Sequence, residues 1–266
     1  MSENQPTLLQ LEEIDWIESN LKIRGKPFIL DDYQKQILLC KNPFKMINKS
    51  RKIGITTLIA AEALYKCICF RDFTGIIASK DERASKYVLS FVSQFLNSFP
   101  PEIIKLIVRE ESKTEILFVT GSRLICIPCN PNAIRGYDAD EIWADEFAFF
   151  NENEKDNDGR FVAAAIPALS VKQGGITFIS TPNGKKGLFY QMWFEEPSEF
   201  EKILIRWDQC KRLFGMIRKI KASLPQPKEL WFRQEYCNSF EENIQGFIEK
   251  ELLVLSIDDK LQLEAV

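Results

Sequence analysis

Nine consecutive residues, Lys49-Ser50-Arg51-Lys52-Ile53-Gly54-Ile55-Thr56-Thr57, gather three cations, a glycine and three hydroxyls just after an apolar run and just before a helical pattern. Such a junction suits an anion. Backbone N–H groups at a helix N-terminus point at it, the helix dipole favours negative charge, and a hydroxyl there can hold Mg²⁺. Against the phosphate-cradling template G-x-x-x-x-G-K-[ST], Gly54 and Thr56 match, Lys49 stands for the first glycine and Ile55 for the lysine. A triphosphate needs the missing positive charge but does not dictate which loop position supplies it. Lys49, Arg51 and Lys52 are the available sources. An ordinary basic strand-to-helix turn would have the same composition, so the loop acquires meaning only with a second motif.

That second motif is Ile142-Trp143-Ala144-Asp145-Glu146, an apolar run ending in adjacent carboxylates. In nucleotide hydrolysis an acid at such a strand end fixes Mg²⁺ and the next Glu polarises the attacking water. Asp145 and Glu146 suit those roles. Asp138, Asp140 and Glu141 make the region acidic in general, and a solvated strand end is the plainer reading of the pair alone. A third run, Gly175 to Ser180 followed by Thr181-Pro182-Asn183-Gly184, is a buried strand that ends in polar groups and a turn. If it lies beside the acidic strand, its polar end can sense the γ-phosphate. The chain has no histidine, so imidazole bases and Ser-His-Asp hydrolysis are excluded and the chemistry rests on carboxylates and cations.

The run Arg135-Gly136-Tyr137-Asp138-Ala139-Asp140, continuing to Asp145-Glu146, resembles the R-G-Y-x-A-D-x-x-x-x-D-E signature of tailed-bacteriophage large terminase subunits. Arg51, three residues before Gly54, and Lys49, at the front of the loop, resemble the arginine and displaced lysine of that family's phosphate loop. Ser180-Thr181-Pro182-Asn183-Gly184 resembles its coupling motif, and Tyr33-Gln34 its aromatic-Gln motif against adenine. Phe232, Gln234-Glu235-Tyr236 and Phe240 resemble the usual end of its motor region, as packing residues.

The resemblance spans roughly residues 25 to 250 and implies an α/β P-loop NTPase core that binds ATP and Mg²⁺. Site roles follow residue by residue. Lys49 is expected to replace the usual lysine, with Lys52 as the alternative, and Ser50, Arg51, Gly54, Ile55, Thr56 and Thr57 complete the cradle. Thr56 and Asp145 hold the metal, and Glu146 is catalytic together with Arg135, a finger on the neighbouring subunit's ATP. Ser180, Thr181 and Asn183 sense phosphate, while Tyr33 and Gln34 receive the base. The implied partners are double-stranded DNA, the portal protein of the procapsid and the small terminase subunit. The chain is expected as a homo-oligomeric ring when active and a monomer when isolated, in the host cytoplasm and docked on the procapsid during packaging. The family's C-terminal nuclease is not expected, since residues 251–266 are too few to build it. A helicase-like or other DNA-dependent ATPase, and a nucleotide-binding scaffold without turnover, are the alternatives.

The elements that must position these residues are legible as alternation. PFKMINKS, TGIIAS, DEIWADE and GGITFIST read as strands, TTLIAAEALYKCICF, DERASKYVLSFVSQFLNSF and FVAAAIPALS as helices, and TEILFVT with SRLICIPC as a hairpin over Gly121 and Ser122. Strands alternating with helices argue for a mostly parallel sheet flanked by helices. Beyond Asp208 the pattern becomes helical, basic and interrupted by Pro225 and Pro227. This predicts a core over 1–208, with an N-terminal adenine-side segment, and a small helical subdomain or linker over 209–266. At 266 residues, 45% hydrophobic and 27% charged, the chain has the composition of a globular protein, without a run of ~20 apolar residues that would span a membrane. Its seven cysteines are scattered, and Cys126-x-x-Cys129 lacks a second pair for zinc. Net charge is −3, so any DNA contact must be local or shared between subunits.

Overall fold

The computed structural model describes residues 8–152, 155–195 and 198–241. Residues 242–266, the end of the expected helical region, lie outside the described residues. Before the sheet come helix α1 (Leu8–Asn20), the short strands β1 (Lys22–Ile23) and β2 (Lys26–Pro27), and α2 (Asp32–Leu39). Then follow β3 (Phe44–Lys49), α3 (Ile55–Cys69), β4 (Thr74–Ser79), α4 (Glu82–Leu96), α5 (Pro101–Ile107), β5 (Val108–Glu111), β6 (Glu115–Phe118) and β7 (Arg123–Pro128). The chain continues with α6 (Pro131–Ile134), β8 (Glu141–Asp145), α7 (Asn157–Ser170), β9 (Gly175–Ser180), α8 (Gly187–Phe194) and β10 (Glu201–Ile205). Three helices, α9 (Lys211–Phe214), α10 (Ile217–Ser223) and α11 (Lys228–Cys237), complete the described chain.

Eight strands form one sheet in the order β10-β3-β9-β8-β4-β7-β6-β5. It is parallel from β10 to β7 and antiparallel only at the β5–β6–β7 end. Helices cover both faces, which is why β4, β8 and β9 are buried at every position and read as near-continuous apolar runs. Alternate residues serve opposite faces: on β8, Trp143 packs into the cluster with α3 and α4, and Ile142 and Ala144 into the cluster with α7 and α8.

Strand β9 fits between β3 and β8 because it starts with two glycines. A methyl group on Gly174 would lie 2.5 Å from the Asp140 carbonyl oxygen, and one on Gly175 would lie 2.6 Å from that of Pro43. Any side chain there would push β9 away from one neighbour or the other.

Three elements depart from the sequence pattern. Strand β10 is an edge strand with half-exposed residues, so its run EKILI lacks the apolar continuity of the central strands. Strand β5 carries three charged residues and gains its order from pairing with β6. Helix α7 begins inside the polar stretch, at Asn157, whose side-chain amide donates to the carbonyls of Cys129 (2.7 Å) and Phe150 (3.1 Å).

Candidate nucleotide site

The parallel strands finish together at one edge of the sheet. In register, Asn48 pairs with Ser180, Ile179 with Asp145 and Asp145 with Ser79. Lys49 closes β3 and Asp145 closes β8, with the Ser180 end of β9 between them. The phosphate-like loop leaves β3 and enters α3 through two left-handed residues, Lys52 (φ 62°) and Gly54 (φ 81°). Gly54 adopts that conformation without strain. The Ser50 N–H donates to the Ile205 carbonyl and the Arg51 N–H to the Glu235 carbonyl, each at 2.8 Å, which ties the first half of the loop to β10 and α11. Its second half runs into the α3 N-terminus, where the first N–H groups have no carbonyl within the helix. Ile55 is buried in the first turn of α3.

Two pairs join the loop to the acidic strand. The buried Lys49 ammonium donates to Glu146 Oε1 at 2.9 Å, and the Thr56 hydroxyl donates to Asp145 Oδ2 at 2.9 Å. Burial works against the Lys49 charge, but Glu146 and Asp145 outweigh it and hold its pKa above the usual lysine value. Burial and the neighbouring Glu146 push the Asp145 carboxyl up to about 6, although Lys49 and Thr56 oppose them. Glu146 itself is left-handed (φ 59°), an uncommon conformation for a residue with a side chain. Its carboxylate is about one-third exposed (32%).

The polar end of β9 grips the turn after Glu146. Ser180 Oγ accepts from the Ala148 N–H at 3.2 Å, and Asn183 Nδ2 donates to the Ala148 carbonyl at 3.1 Å. Thr181 is buried beside them. The groups expected to sense phosphate thus sit against the backbone of the acidic turn.

A cavity of about 680 Å³ opens on the other side of the loop, lined by Gln34, Gly54 and Thr57 together with Phe28, Ile29, Tyr87 and Arg212. Gln34 is fixed at both ends of its amide: Oε1 accepts from the Asp31 N–H at 2.9 Å and Nε2 donates to the Gly54 carbonyl at 3.0 Å. Tyr33 faces away from the cavity, because its hydroxyl is drawn inward between Asp31 Oδ2 and the Ile53 carbonyl, 2.7 Å from each. The aromatic wall is supplied instead by Tyr87 of α4, 57% exposed, whose signal in the sequence is a large ring on the open face of an amphipathic helix.

Lys52 is exposed and has no partner among the described residues, unlike Lys49. Arg51 NH1 pairs with the buried Glu235 at 2.9 Å, so the expected packing residues Gln234 and Glu235 are in fact polar contacts of the site. Arg212 NH2 reaches Asp31 at 3.0 Å and the Ile53 carbonyl at 3.2 Å. Arg135 is not brought to this cluster. It is exposed beyond β7, two strands from β8, with a 3.4 Å hydrogen bond to Asn132.

The residues fit a magnesium ion. Asp145 Oδ1 and Ser50 Oγ are buried without a hydrogen-bond partner, and the Thr56 hydroxyl stands beside the first of them. Mg²⁺ takes hard oxygens and few protein ligands, the rest coming from phosphates and water. No group of three or more His, Cys, Asp and Glu forms a metal cage among the described residues.

Three solved structures share this architecture. The large terminase ATPase domain of Thermus phage P74-26 superposes with a TM-score of 0.65 at 18% identity, over 89% of this chain and 99% of that one. The HK97 bacteriophage large terminase gives 0.71 at 16%, over 86% and 55%. The large terminase of a thermophilic bacteriophage in complex with ADP gives 0.59 at 13%, over 89% and 54%. The chain therefore spans about half the length of the last two. Residues 46–243 match the family described as terminase large subunit, T4likevirus-type, N-terminal. That match takes in the Lys49 loop, the Asp145–Glu146 strand end and the β9 turn, and the chain belongs to this family of terminase large subunits.

Proposed function

We propose that this protein hydrolyses ATP and that hydrolysis drives double-stranded DNA into a viral procapsid. The observation that carries the reading is the double link across β9: Lys49 with Glu146, and Thr56 with Asp145. A triphosphate on the loop would place its γ-phosphate between these pairs, where the Lys49 ammonium meets its charge and Glu146, released from Lys49, orients water for in-line attack. The Glu146 carboxylate is held for this by its backbone turn, which Ser180 and Asn183 brace at Ala148. Mg²⁺ carried with the nucleotide would neutralise the β- and γ-oxygens, held by Thr56 and Asp145. Gln34 meets the base edge in the cavity beside Gly54, and Arg51, Lys52, Ser50, Gly54, Ile55 and Thr57 form the remaining cradle.

Arg135 lies too far along the sheet to serve its own loop, which favours a finger acting on the ATP of the next copy in a homo-oligomeric ring. An isolated monomer then turns over slowly. The partners in this reading are the portal protein, the small terminase subunit and DNA, in the host cytoplasm at the procapsid.

The test is Glu146→Gln in an assembled preparation. Ground-state contacts survive this change, so Mg·ATP should bind with near wild-type affinity while turnover falls on the order of 10²-fold or more. Wild-type turnover in the variant overturns the assignment, and an equally inert wild type points to a nucleotide-binding scaffold.

A further inference from the structure

Helix α11 closes the described chain, and its polar contacts are more than packing requires. Glu235 is 6% exposed, and a carboxylate so buried costs several kcal/mol unless it is paired. Both ends of the residue engage Arg51: the carbonyl accepts the Arg51 N–H at 2.8 Å and the carboxylate pairs with NH1 at 2.9 Å. The preceding residue, Gln234, is also buried, and its Oε1 accepts from the N–H of Gly184 at 3.2 Å, in the turn after β9. One helical turn on, Asn238 donates to Asn48 Oδ1 on β3 (3.0 Å) and to the Ile205 carbonyl on β10 (3.2 Å).

These contacts join α11 to both halves of the site. Arg51 belongs to the loop, and Gly184 follows Asn183, which braces the turn bearing Glu146. We infer that Glu235 is a positioning residue for Arg51 and that, through this pair, α11 is the element that registers whether the loop holds nucleotide. The inference rests on the ATP-binding reading above.

The geometry leaves Arg51 able to serve two partners. A guanidinium has five N–H donors, Glu235 engages NH1, and the side chain is 57% exposed. The remaining donors are free to meet a phosphate while Glu235 holds the plane in place. Coupling between two contacts of one group is reciprocal. If Glu235 aims Arg51 at the anion, then the bound anion must tighten α11 on the loop by the same factor. Packing alone would produce no such dependence on nucleotide.

The experiment measures ATPγS affinity and amide hydrogen exchange over residues 228–238, with and without ATPγS and Mg²⁺, in wild type, Glu235→Gln and Arg51→Lys. Wild type should gain protection on α11 when nucleotide binds. In Glu235→Gln the affinity should fall about tenfold, and nucleotide should still protect the start of α3 while the gain on α11 is lost. Arg51→Lys keeps a cation beside Glu235, so it tests the same link in a fold that retains the ion pair, and it should also lose the gain. Wild-type affinity in Glu235→Gln, or an undiminished gain on α11 in both variants, overturns the inference and leaves the ATP-binding reading standing. A wild type that binds no ATPγS removes that reading and the inference with it.

Discussion

The two ends of the parallel sheet each bury a lysine among carboxylates, and they differ in how completely the charges are answered. At the end where the strands begin, Lys66 donates to Glu62 at 2.7 Å, bonds Glu141, and lies 5.4 Å from the Trp143 ring, whose indole N–H donates to Glu62 at 3.1 Å. Burial opposes the Lys66 charge, but Glu141 and Glu62 hold it well above the usual lysine value. At the end where the strands finish, Lys49 faces Glu146 and Asp145, while Asp145 Oδ1, Ser50 Oγ and Ser79 Oγ are buried without partners. Each such orphan costs about 1–3 kcal/mol, a cost proteins retain where a ligand completes the bonding. One end is closed by its own side chains; the other is built to be completed.

The largest effect that would sharpen this contrast concerns a residue outside the cluster. If the open end is completed by a neighbouring copy, Arg135→Ala should cost on the order of 10³ in turnover of the assembly. Rate per subunit in the wild type should rise with protein concentration, and the variant should lose that rise while still binding nucleotide. A normal rise in Arg135→Ala removes the finger from the account.

Breaking the closed end should damage the fold rather than the chemistry. Lys66→Met leaves Glu62 and Glu141 buried and facing each other, and removal of one partner from such a network costs about 3–5 kcal/mol. Urea denaturation reads this directly. A loss below about 1 kcal/mol would mean that the two ends do not differ in the way described.

The smallest effect is at Glu13 of α1, the one member of the closed end with an orphaned oxygen. Burial, then the nearby Glu62, raise its pKa from 4.5 to about 8. The folded state therefore keeps a proton that the unfolded chain has lost, and stability falls as pH rises from about 4.5 to about 8. Glu13→Gln should remove that slope, raising Tm by a few degrees at pH 8.5 and little at pH 4.5, where both side chains are neutral. Equal changes at the two pH values would show that Glu13 does not titrate in this window.

The central strands were legible because both of their faces are covered, which leaves a continuous apolar signature in β4, β8 and β9. The edge strand β10 was not, since its half-exposed residues carry little of that pattern. Within the site the same division holds. Thr56, Gly54, Asp145 and Glu146 occupy fixed local spacings, so their types and order announced them. Glu235, Arg212 and Tyr87 reach the loop from distant parts of the chain, and no local pattern marks a tertiary contact. Tyr33 and Gln34 are adjacent in sequence yet face different ways, because the Tyr33 hydroxyl is captured by Asp31 and Ile53 while Gln34 turns to Gly54.

The central claim is that Lys49, arriving from the end of β3, supplies the charge that Ile55 withholds. Titration of Mg·ATPγS into Lys49→Ala and Lys52→Ala tests it most directly. Lys49 is buried and 2.9 Å from Glu146, whereas Lys52 is exposed, so affinity should fall at least tenfold in the first variant and stay within about twofold in the second. A larger loss in Lys52→Ala, or no loss in either, would contradict the account.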